Sequence, residues 1–146
     1  MKVIFLDIDG VLNSNEGSEE YLSFMEAKKL ELLKELIIDS NADGVVLISD
    51  RRYSKYDVED ITFAFDEYEI MLLGMIRNPD DDDLEDNRGK QIRDYLEEHG
   101  DEIEAICILD DNDDGISEYF QDEFILINHY YGLTREIVDE AIKILN

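Results

Sequence analysis

Val3-Ile4-Phe5-Leu6-Asp7-Ile8-Asp9-Gly10-Val11-Leu12-Asn13 carries four aliphatic or aromatic residues straight into two aspartates and a glycine. A short apolar run of this kind reads as a buried strand. Carboxylates at the end of such a strand are costly to hold without a partner, so Asp7 and Asp9 point to a site. Gly10 lets the chain turn sharply out of the strand, so that both side chains reach one ligand.

Working outward, four more runs resemble the first: Val45–Ile48, Ile70–Leu73, Ala105–Leu109 and Phe124–Ile127. They lack strict polar alternation, as strands of a parallel sheet covered on both faces do. Helical spacings lie between them. Ala27, Leu30, Leu33 and Ile37 form one stripe, Ile92, Tyr95, Leu96 and His99 a second, and Ile137, Val138, Ala141, Ile142 and Leu145 a third. A further helix is expected around Val58–Phe65, and Thr134 sits at an N-cap position for the last one. Strand and helix in alternation predict an α/β fold: a Rossmann-like, doubly wound, mainly parallel sheet of about five strands. The 146 residues predict a single domain over residues 1–146.

The charge excludes whole classes of function. Thirteen Lys and Arg against 39 Asp and Glu leave a net charge of −26. A chain so acidic has no extended surface of its own for nucleic acid, whose phosphates need basic partners, and no attraction to anionic lipid. One cysteine, Cys107, cannot form an intramolecular disulfide, and its place inside a strand run marks it as a small buried residue. No apolar run approaches the roughly 18 residues of a membrane span, and Val3–Leu6 is too short for a signal-peptide core. A soluble, cytoplasmic protein is expected, with an oligomer left open. The run Asp80-Asp81-Asp82-Asp83-Leu84-Glu85-Asp86 reads as a solvated loop, because like charges this dense resist packing.

In doubly wound folds, ligands bind at the carboxyl ends of the strands. Those ends carry Asp7 and Asp9, then Ser49-Asp50-Arg51-Arg52, then Asp110-Asp111-Asn112-Asp113-Asp114, with Arg88-Gly89-Lys90 opening the helix before the last cluster. Crowded carboxylates call for a cation, and all-oxygen ligands favour a hard one such as Mg²⁺. Mg²⁺ with a hydroxyl and a lysine or arginine is a set that holds a phosphoryl group. Rival patterns fail. Asp110-x-Asn112-x-Asp114-Gly115 opens like an EF-hand loop but follows a strand and has Gln121 at its twelfth position, without the bidentate carboxylate. A phosphorelay receiver needs an acid after the third strand, where Leu73-Gly74-Met75 stands. His99 and His129 lack ligand partners at useful spacing, and Tyr130-Tyr131 reads as a packing pair.

VIFLDIDGVLN resembles the first motif of the haloacid dehalogenase (HAD) superfamily, mostly Mg²⁺-dependent phosphatases. DGVLN, the Ser-x-x-Arg after the second strand, RGKQIRDYLEEH, CILDDNDD and YGLTREIVDEAIKIL together resemble the small HAD domains of Swiss Army Knife RNA-repair proteins. The resemblance implies an aspartyl-phosphate mechanism. Asp7 then stands as nucleophile and metal ligand, and Asp9 as general acid/base whose backbone carbonyl joins the metal. Ser49 stands as the phosphate-binding hydroxyl, and Lys90 or Arg88 as the phosphate-binding cation, with Lys90 the more usual residue type. Asp111 is the favoured further metal ligand; the alternative alignment uses Asp110 with Asp114. Relatives often read Ser-Ser-Trp-Arg where this chain has Ser49-Asp50-Arg51-Arg52, which sets a carboxylate beside the phosphate position. The expected partner is a phosphorylated substrate, either a small molecule or a nucleic-acid end. The expected architecture has a minimal cap or none, because residues 14–23 alone separate the first motif from a helix expected to begin near Phe24. The alternative function is a non-catalytic phosphate- or metal-binding regulatory domain.

Overall fold

A computed structural model describes residues 1–76 and 87–146. Five parallel strands form the central sheet: β1 (Lys2–Leu6), β4 (Gly44–Leu47), β5 (Leu72–Met75), β6 (Ala105–Asp110) and β7 (Phe124–Leu126), in the order β5-β4-β1-β6-β7. A separate two-stranded hairpin, β2 (Tyr21–Leu22) and β3 (Met25–Glu26), precedes α1 (Ala27–Ser40). The other helices are α2 (Lys55–Glu67), α3 (Arg88–His99), α4 (Ile116–Tyr119) and α5 (Arg135–Leu145). The architecture is the α/β, Rossmann-like parallel sheet that the alternating runs predict. No helix among the described residues is long and apolar enough to cross a membrane.

Side-chain alternation along the strands builds two cores. Ile4 and Leu6 of β1, Val45 and Leu47 of β4, and Cys107 and Leu109 of β6 face the layer of α1, α2 and α5. Val3, Phe5, Val46 and Ile108 face α3 and α4, where Ile92 and Ile116 are buried. Apolar burial on both faces accounts for strands that read as continuous apolar runs. The connections run from β1 outward through β4 to β5, then return across the sheet to β6 beside β1. That reversal is the topological switch point, and it opens a crevice at the carboxyl ends of β1 and β6.

Two expectations need correction. The third strand of the sheet is Leu72–Met75, not Ile70–Leu73. Ile70 is buried, but its N–H closes the end of α2 on the Phe65 carbonyl, and an irregularity in the pairing falls between Val45 and Val46. The first helix starts at Ala27 rather than near Phe24, because residues 21–26 pair as the β2–β3 hairpin, with Ser23 in the turn at φ 58°. That hairpin has Met25 buried and is tied back by a bond from Glu26 N–H to the Leu12 carbonyl. The acidic run 80–86 lies outside the described residues.

Candidate functional site

The chain leaves β1 under tight control. Asp7 N–H donates to the Leu109 carbonyl at 2.9 Å, which extends the β1–β6 pairing by one residue and fixes Asp7 beside the end of β6. Gly10 then turns the backbone at φ 80°. A β-carbon there would lie 2.2 Å from Asp111 Oδ2, so a side chain at position 10 would force Asp111 aside. Asn13 closes the turn: its Oδ1 accepts from Gly10 N–H, and its Nδ2 donates to Asp9 Oδ1 and to the Phe24 carbonyl.

Asp110 ends β6 and is fully buried. Its Oδ1 accepts from Asn112 N–H and its Oδ2 from Arg88 Nη1 at 2.8 Å. Asp7, Asp110 and Asp111 each bring a carboxylate oxygen within 4.8 Å of the others. Burial, with Asp110 beside it, pushes the Asp7 carboxyl up to about 9 despite nearby Arg88. Burial likewise raises Asp110, more than its bonds with Arg88 lower it. One arginine does not neutralise three crowded carboxylates, two of them buried. An all-oxygen donor set whose members resist ionising until a cation offsets their charge fits a hard divalent ion, so these side chains suit the Mg²⁺ expected from the sequence.

Arg88 is the first residue of α3, and the helix start is pinned from several sides. Asn87 caps it through Lys90 N–H, Asp114 Oδ2 accepts from Arg88 N–H, and the Asp114 carbonyl accepts from Gly89 N–H. A β-carbon on Gly89 would lie 2.2 Å from the Gly115 carbonyl oxygen, so α3 abuts the loop after β6. The Arg88 guanidinium thereby enters the crevice: Nη1 lies 2.8 Å from Asp110 and 3.9 Å from Asp7, and Nη2 lies 2.9 Å from Asp50 Oδ1. Burial works against its charge, but Asp110 and Asp7 more than offset this, so its pKa is raised.

Ser49 and Asp50 leave β4 toward the same crevice. Ser49 is buried, and its Oγ accepts from Arg51 N–H at the start of a short 3₁₀ turn, Asp50–Tyr53. The hydroxyl keeps its own proton for a further acceptor. Buried Arg52 secures this turn, donating from Nη1 to the Ile48 and Ser49 carbonyls and from Nη2 to Gln91 on α3.

Asp9 is held by partners of its own. Arg51 grips it with two bonds, Nε to Oδ2 at 2.7 Å and Nη2 to Oδ1 at 2.8 Å, and its guanidinium lies 3.7 Å over the Phe24 ring. Burial alone would raise Asp9, but the bonds from Arg51 and Asn13 outweigh it and lower the pKa.

The structure thus gathers Asp7, Asp110, Asp111 and Arg88, with Ser49 on the adjoining strand end. Asp114 lies outside the three-carboxylate group, at the start of α3, and Lys90 lies two residues into that helix. Sequence reasoning missed Arg51, Asn13 as a support for Asp9, and the contact of Asp50 with Arg88. The available signal was the substitution of Asp-Arg for Ser-Trp after Ser49.

A family model described as the HAD domain in Swiss Army Knife RNA repair proteins matches residues 3–138. No curated protein and no solved structure matches the chain.

Proposed function

Because the chain belongs to the family of HAD domains found in Swiss Army Knife RNA repair proteins, we propose that it is a Mg²⁺-dependent phosphatase that works through an aspartyl-phosphate on Asp7. The observation that carries this reading is the meeting of Asp7, Asp110 and Asp111 with the Arg88 guanidinium at the switch point of the sheet. Asp7, Asp111 and Asp110 are the side chains that would hold the metal, joined by the Asp9 carbonyl. When bound, the cation lowers the repulsion between an anionic substrate and these carboxylates.

In this mechanism, Arg88 and the Ser49 hydroxyl orient the phosphoryl oxygens. An Asp7 carboxylate oxygen attacks phosphorus, and the bond from phosphorus to the leaving oxygen breaks as Asp9 gives that oxygen a proton. Water then attacks the phosphorus of the aspartyl-phosphate and passes a proton to Asp9. The bond to Asp7 breaks, and inorganic phosphate departs. Arg51 must loosen its grip for Asp9 to take up and deliver a proton, since the clamp favours the ionised carboxylate. The family description favours a nucleotide or nucleic-acid end phosphate as substrate, while the net charge of −26 requires any affinity for a long strand to come from elsewhere. The test is a screen with Mg²⁺ over nucleotides, sugar phosphates and end-phosphorylated oligonucleotides, with Asp7→Asn as control. Release of phosphate by the native chain alone is expected.

A second reading, a phosphate- or metal-binding domain without turnover, draws on the two ion pairs that engage the reacting groups: Arg51 on Asp9 and Asp50 on Arg88. Metal or phosphate binding without phosphate release in the same screen would favour it.

A further inference from the structure

Asp50 and Arg88 stand 38 residues apart in sequence and meet across the mouth of the crevice, Oδ1 to Nη2 at 2.9 Å. Arg88 commits Nη1 inward, to Asp110 at 2.8 Å and toward Asp7 at 3.9 Å. Nη2 bonds Asp50, the residue that follows Ser49 after β4. The Asp50 side chain is 76% exposed, and Arg52 Nη1 lies 3.5 Å from the same oxygen. An ion pair with so exposed a partner adds little to stability, so holding the fold together does not account for its placement. We propose that Asp50 occupies the seat of a phosphoryl oxygen on Arg88 and thereby sets how strongly the site takes an anionic phosphate.

The proposal rests on the reading that Arg88 holds the phosphoryl group. Two anions compete for one guanidinium nitrogen. An arriving phosphate either displaces the carboxylate or binds beside it against repulsion, and both weaken binding. Displacement is mechanically simple, because Asp50 begins the short turn that follows Ser49 and its side chain has open solvent to move into. Ser49 is the cap of the same turn, so the competing carboxylate directly follows the hydroxyl proposed to orient phosphate.

The deciding experiment measures binding of inorganic phosphate by calorimetry, with Mg²⁺ present, for the native chain, Asp50→Ser and Asp50→Asn. Both variants are expected to bind phosphate more tightly, roughly tenfold for serine, the scale of one charge-assisted bond relieved. Melting temperatures near that of the native chain would show that both variants fold. If only one variant folds, its phosphate affinity decides. Affinity that is unchanged, weaker or unmeasurable in a folded variant overturns the proposal. Binding is read without turnover. Failure of the phosphatase reading would therefore appear separately, as absent phosphate release by the native chain.

Discussion

Gly10 and Asp111 are in direct contact: a β-carbon at position 10 would stand 2.2 Å from Asp111 Oδ2, so any other residue there must displace the Asp111 side chain. The glycine also holds φ 80°, which costs other residues about 1–2 kcal/mol. Gly10→Ala should therefore lower stability by at least that amount and push Asp111 away from Asp7. Thermal unfolding with and without Mg²⁺ checks both parts: a lower melting temperature and a smaller rise on adding the metal.

Asp7 is a different case, a residue whose ionised form the fold disfavours. Burial and the neighbouring Asp110 both oppose its ionisation. In a chelator near pH 7, Asp7→Asn should melt higher than the native chain by about 2–5 °C, because the amide removes an acid that ionises freely in the unfolded chain but is held from doing so in the fold. Differential scanning calorimetry of the two proteins would show it, and a lower melting temperature for the variant would argue that Asp7 is structural.

Mg²⁺ should raise the melting temperature of the native protein, since the folded chain gathers the carboxylates and the unfolded chain disperses them. Saturation at about 100 times the dissociation constant corresponds to about 2.7 kcal/mol. Asp111→Ala should remove most of that rise and Asp114→Ala little of it, because Asp111 lies in the three-carboxylate group and Asp114 accepts from Arg88 N–H at the start of α3. The opposite order would reassign the ligand to Asp114.

Cys107 provides a pH test away from the site. It is fully buried, and burial pushes its thiol up to about 12, from near 9 in an unfolded chain. The folded state thus holds its proton longer than the unfolded state. The stability that this contributes is whole below pH 9 and is lost as pH rises toward 12. A thiol reagent at pH 8 should leave the native chain unlabelled and label one site per chain in denaturant. Rapid labelling of the native protein would contradict the burial.

The sheet was largely legible because both of its faces are covered. Val3–Leu6 and Ala105–Leu109 pack helices on either side, so they read as unbroken apolar runs. The third strand slid because Ile70 is as apolar and buried as a strand residue yet serves the end of α2. The β2–β3 hairpin escaped notice because two-residue strands carry no period to detect. Asp7, Asp110 and Asp111 were readable as residues at strand ends, where position in the fold decides position in space. The pairs Arg51–Asp9 and Asp50–Arg88 were not, since they join side chains 42 and 38 residues apart whose directions depend on local turns.

In the proposed mechanism, Asp7 carries the phosphoryl group. The most direct measurement is mass analysis of acid-quenched protein mixed with Mg²⁺ and an aryl phosphate, comparing the native chain with Asp7→Asn. One added phosphoryl group is expected in the native chain, on the peptide that holds Asp7, with neither the adduct nor phosphate release in the variant. Phosphate release by pure Asp7→Asn at the native rate, or an adduct on another residue, would contradict it.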